Sequence, residues 1–258
     1  MGRMLHVTAL ILLLALAGRA AAAPLEPQKL AAVQAAALDF AALAKDSYVS
    51  GQPPRQADPA VKALLDTVFD MTALEAAEPL AFSELGKLND WTIAVLKVGT
   101  VYMLAGTGTS DIAQAAGDPK LAERIERNTA DYAPEMGRYL DAQIRVMDAM
   151  IRSVAAHLAA YPQELEKPNV KSGLAKIRAG TKQTLVGALT TLLNRGLDDG
   201  WRRDRLPALA HFAPTAAKFL EPEDGRAVRQ AALDVAETMP DPDVERGLMS
   251  LANIFGPG

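Results

Sequence analysis

The chain has 258 residues, of which 50% are hydrophobic and 5% aromatic, with a formal net charge of −4 and no cysteine. The lack of thiols excludes disulfides, thiolate metal sites, covalent haem attachment and a cysteine nucleophile. The acidic balance argues against nucleic acid as a partner, because binding phosphates calls for a net basic surface.

The first residues, MGRMLHVTALILLLALAGRAAAAPLE, combine a basic Arg3, an apolar run from Val7 to Ala17 and a string of small residues. This is the pattern of a secretory signal peptide. Arg19 interrupts the run well before the ~20 apolar residues a spanning helix needs. Pro24 would crowd a protease cutting after Ala23, so cleavage is expected between Ala22 and Ala23, leaving no integral membrane span. Removing Arg3 and Arg19 from the 27 basic residues leaves 25 against 31 acidic ones, so the net charge moves to −6. The domain reading is a signal peptide over 1–22 and a single all-helical domain over 23–258, with a loop at 48–57 set by Gly51, Pro53 and Pro54. A secreted or periplasmic location follows.

The mature sequence is rich in Ala and Leu, with apolar residues at helical spacing. Asp58-Pro59, Asp118-Pro119 and Asp241-Pro242, with Glu78-Pro79 and Glu221-Pro222 as weaker versions, read as helix starts: the acid caps orphan N–H groups and proline presets a helical φ. Helices are expected over 27–47, 59–76, 82–105, 119–132, 134–161, 169–195, 205–220 with a break at Pro214, 222–238 and 242–255. The fold class is all-α, a bundle of about eight to nine helices. In the 134–161 segment Met136, Leu140, Ile144, Met147, Ile151, Val154 and Leu158 form one apolar stripe, with Arg138, Arg145, Asp148 and Arg152 mostly off it. This helix and 169–195, ended by Gly196 as a left-handed cap, are expected to form the centre. The run WTIAVLKVGTVYMLAG at 91–106 is apolar nearly all round and reads as a buried helix, with a strand pair as the alternative.

No motif completes a recognisable chemistry. GTGTSD at 106–111 lacks the lysine of a phosphate loop and the strand of a dinucleotide fold, so it reads as a helix end with Thr109 or Ser110 capping the next turn. DDGWRRD at 198–204 resembles an aspartate-rich magnesium motif, but Gly200 interrupts it and no second such run exists. The mature chain has two histidines, His157 and His211, in no metal-binding pairing; no metal or cofactor is expected. Asp66 and Asp70, one turn apart, read as a wet helix face.

The stretch GWRRDRLPALAHFAP at 200–214 gathers Trp201, Arg202, Arg203, Arg205 and His211. With Asp204 as cap, Pro207 would fall in a first turn. The structural reading has the arginines pairing with Asp198, Asp199 and Asp204 and stacking on Trp201. The functional reading makes Trp201, Arg202, Arg205 and His211 a ligand-binding set for an anion. The function expected is that of an exported helical binding or interaction protein, its partner a protein, peptide or small anionic ligand. The alternative is an exported all-α enzyme, a polysaccharide lyase or hydrolase with a His base and an Arg anchor.

Overall fold

The computed structural model describes residues 25–75 and 79–256; the expected signal peptide lies outside them. The elements are α1 (Pro27–Leu43), α2 (Ser47–Ser50), α3 (Pro59–Val68), α4 (Thr72–Glu75), α5 (Leu85–Met103), α6 (Ile112–Ala115), α7 (Leu121–Asp131), α8 (Ala133–Ala160), α9 (Pro168–Thr191), α10 (Asp199–Phe219), α11 (Pro222–Ala236) and α12 (Pro242–Ile254). Among the described residues there is no strand, and nine helices have ten or more residues. No helix among them is long and apolar enough to cross a membrane.

The acid–proline starts succeed where the carboxylate reaches a backbone N–H. Asp58 accepts from Ala60 N, and Asp241 from Asp243 N and Val244 N. Pro222 opens α11 with no side-chain bond from Glu221. Asp118 instead accepts from Lys120 N at 2.8 Å, which makes a turn and delays α7 to Leu121. Pro79 begins no helix; a short 3₁₀ turn, Phe82–Glu84, precedes α5. The 91–106 run is helical as far as Met103, as expected of a buried helix, and Trp91, Val98, Val101 and Tyr102 are fully buried.

Helix α8 runs through the middle of the molecule. On one side it lies antiparallel to α5: Gly99 sits on the Tyr139 ring, while Leu80 N, before α5, donates to Ser153 Oγ at 2.9 Å. On the other side it lies parallel to α10, because Trp201 Nε1 donates to Ala133 O at 2.7 Å and Arg205 meets Asp141 eight residues further along α8. Helices α1 and α3 complete the α5 side, and α9, α11 and α12 complete the α10 side. The expected central pair of α8 and α9 is thus replaced by α8 between α5 and α10. Helix α9 packs chiefly on α11. Its buried face holds Thr181 and Thr184 among its leucines, and Ile177 is only partly covered.

Two expected ends differ for steric reasons. Helix α9 stops at Thr191, and Gly196 does not have a positive φ. A Cβ there would stand 2.4 Å from Ala130 Cβ, so glycine allows the α9–α10 turn to approach α7. Gly106 and Gly108 do take positive φ, and their N–H groups donate to Ser47 O and Tyr48 O. The GTGTSD turn is fastened to α2 in this way, and the next helix is capped by Asp111 rather than by Thr109 or Ser110. The loop expected at 48–57 begins only after α2, at Gly51, and is held as firmly, with Tyr132 Oη donating to Gly51 O, Tyr102 Oη to Pro54 O and Gln56 N to Glu135 Oε1.

Candidate functional site

Residues 199–204, expected to form the approach to a helix beginning at 205, are helical. Asp198 is the cap of α10, accepting from Trp201 N at 2.7 Å, and Pro207 and Pro214 lie inside the helix. Each proline removes the N–H that would bond the carbonyl four residues back and crowds that carbonyl. Both prolines, with Arg203 and Ala210, whose carbonyls are freed, are on the exposed side. Water can satisfy those oxygens there, which is why α10 continues through both.

With α10 begun at Asp199, the four residues singled out by the sequence point in different directions. Arg202 is 7% exposed and donates from Nε to Leu192 O at 2.9 Å, from Nη2 to Asn194 O at 2.9 Å and from Nη1 to Asp199 Oδ1 at 2.7 Å. It thereby binds carbonyls that follow the end of α9, where the helix dipole also favours a cation. Trp201 uses its indole N–H on Ala133 O and is half-buried against the core. The Arg205 guanidinium lies 5.4 Å from the Trp201 ring centroid and within an ion pair of Asp141, filling the space above Gly137. Arg203 pairs with Asp241, the cap of α12, rather than with a neighbour in the turn. His211 alone of the expected set faces a groove, and Arg202 and Arg205 do not share it.

That groove has a volume of about 430 Å³, within the range of small-molecule sites. One wall is α8, with Ile144, Arg145, Asp148 and Arg152; the other is α10, with Pro207, Ala208, His211, Phe212 and Thr215; Leu74 of α4 contributes an apolar end. Asp148 is 3% exposed and accepts from Arg152 Nε at 2.8 Å through Oδ2. His211 Nε2 stands 3.9 Å from the same oxygen, with a side chain 76% exposed at the groove mouth. Asp148 Oδ1 is buried and has no hydrogen-bond partner.

A shallower depression of about 250 Å³ continues along α8, lined by Phe69, Asp70, Met71, Thr72, Arg138, Asp141, Ala142 and Arg145. Arg145 borders both. Burial pushes the Asp141 carboxyl up to about 6 despite the Arg205 cation. Arg205 Nε lies 3.2 Å from Asp141 Oδ1, yet neither atom makes a hydrogen bond, so the guanidinium compensates the partly buried carboxylate poorly. On the far rim Arg138 pairs with Asp66, which also takes a bond from Lys62. His157 lies outside both hollows, its ring 5.0 Å from Tyr161, and burial lowers its pKa.

The residues that matter here were visible as spacing. Arg138, Arg145 and Arg152 recur every seven residues, as do Asp141 and Asp148. Seven residues advance a helix by two turns, about 10.5 Å along one face. In the sequence Arg138, Arg145, Asp148 and Arg152 mark only the side away from the apolar stripe, and periodicity does not say which of two polar faces a neighbouring helix turns into a groove. Among the described residues no group of three or more His, Asp or Glu is placed to hold a metal ion.

Comparison of the chain with protein-family models, with curated proteins and with solved structures finds no match. Its class is defined by its own geometry: an all-α bundle with a charged groove between two parallel helices.

Proposed function

We propose that this is an exported binding protein that takes a small anionic ligand in the groove between α4, α8 and α10. The observation that carries the reading is the wall of α8, where Arg145 and Arg152 flank Asp148 opposite the apolar Ala208 and Phe212 of α10. Arginine suits this role because its guanidinium presents five donors in a planar fork that matches carboxylate and phosphate. The apolar lining would hold the rest of the ligand and keep water from the ion pair.

Thermal unfolding of the mature protein in the presence of inorganic phosphate, glucuronate and 4-methylpentanoate tests this. A ligand of the folded state raises Tm progressively with concentration, and added salt should weaken the effect by screening. Arg145→Ala should remove the response while the fold survives. No response to any of the three, in wild-type protein, overturns the reading.

A second reading is favoured by one observation, the place of His211 at the mouth of the same groove. A lyase or hydrolase would use His211 as the base and Arg145 or Arg152 as the anchor of a substrate carboxylate. Incubation with polyuronates separates the two: an enzyme releases unsaturated or reducing ends, and His211→Ala abolishes their release, whereas a binding protein returns its ligand unchanged.

A further inference from the structure

We infer that the groove selects a ligand carrying a hydrogen-bond donor two bonds from its carboxylate, that is, an apolar α-amino acid or the matching α-hydroxy acid. This rests on the proposed anion-binding groove and specifies what occupies it. The observation behind it is Asp148. A buried carboxylate is stable only when its oxygens accept several hydrogen bonds, and Asp148 has one, from Arg152 to Oδ2, with Oδ1 unpartnered. His211, at 3.9 Å, is too far to supply another. None of the α10 groups across the groove completes the set: the side chains of Pro207, Ala208 and Phe212 carry no donor, and Thr215 makes no hydrogen bond to it.

A donor on the ligand supplies the missing bond. Rotation about the Cβ–Cγ bond of Asp148 is soft, so a small rock of the carboxylate turns its unfilled acceptor towards the groove. Asp148 lies between Arg145 and Arg152 at spacings of three and four residues, which places the three side chains side by side on one helix face. A molecule with its ammonium or hydroxyl on Asp148 therefore brings its carboxylate to one of the adjacent guanidinium groups. The polar groups must be close together for this, as they are across a single α-carbon. Leu74, Ile144, Ala208 and Phe212 then surround the remaining substituent, which suits a branched aliphatic chain.

Calorimetric titration of the wild-type protein with four isosteric probes tests the inference: leucine, 2-hydroxy-4-methylpentanoate, 4-methylpentanoate, which lacks the donor, and 3-methylbutylamine, which lacks the carboxylate. Leucine or the hydroxy acid should bind about tenfold or more tightly than 4-methylpentanoate, the ratio expected for one hydrogen bond to a charged group. Asp148→Asn should bring that ratio close to one. If 4-methylpentanoate binds as well as leucine and the hydroxy acid, the inference is overturned and the anion groove stands. If the amine alone binds, or no probe binds, the groove reading itself falls. The wild-type comparison decides even if Asp148→Asn does not fold.

Discussion

Gly99 of α5 and the ring of Tyr139 of α8 contend for one volume: a Cβ built on Gly99 would stand 2.3 Å from Tyr139 Cε2. The two helices approach closely because one of them has no side chain at that point. Tyr139 is buried, and its ring is flanked by the core rather than by solvent, so it has little room to withdraw. Gly99→Ala should cost about 1–3 kcal/mol as overpacking. Gly187, on α9, has nothing within 4 Å of its added Cβ, and Gly187→Ala should stabilise by about 0.5–1 kcal/mol through reduced chain entropy. Urea unfolding of the two variants checks both signs.

Arg202 should matter for folding rather than for ligand. Its truncation leaves Leu192 O, Asn194 O and Asp199 without their donors, two of the bonds being buried. Arg202→Ala should cost about 3 kcal/mol. Arg202→Lys should recover less than half of that, because an ammonium cannot span the same three acceptors as a planar fork. Binding of any groove ligand should be unchanged in whichever variant stays folded.

Two carboxyls should pull the acid stability curve in opposite directions. Bonds from the Lys29 ammonium and the Thr72 hydroxyl hold Asp70 down to about 2. Its contribution is therefore present above its ordinary value near 4 and is lost as pH falls through about 2. Burial raises Asp141 to about 6. For that group stability is full below its ordinary value near 4 and is lost as pH rises through about 6, by on the order of 1–3 kcal/mol. Asp141→Asn should flatten the decline between pH 4 and 6, and Asp70→Asn should flatten the rise between pH 2 and 4. Chemical unfolding measured across this range reads each slope separately.

Processing gives the remaining test. Expression of the full chain in a secreting bacterium should yield a protein whose intact mass begins at Ala23. Recovery of a chain that keeps Met1 to Ala22 in the membrane fraction would contradict export by cleavage.

The all-α class was legible in the sequence because its cues are local. Acid–proline pairs such as Asp58-Pro59 act within one turn, and an apolar stripe such as Met136 to Leu158 repeats within one helix. The misread boundaries mark the places where a distant group decides. Gly196 looked like a cap but is required by Ala130 of another helix. Pro207 looked like a helix start, yet it lies mid-helix because the carbonyl it frees is on the wet side.

The site divides along the same line. The sequence by itself placed Trp201, Arg202, Arg205 and His211 within a few residues of one another, and it also carried the seven-residue recurrence of Arg138, Arg145 and Arg152. Only the tertiary structure separated the first set and gave the second a groove. A helix turns adjacent residues about 100° apart, so neighbours in sequence face different partners. Arg202 accordingly reaches the end of α9, Arg205 reaches Asp141, and His211 reaches the groove. Which face of α8 becomes a groove depends on how α10 lies beside it, and that is settled by packing across the molecule, not by any residue's near neighbours.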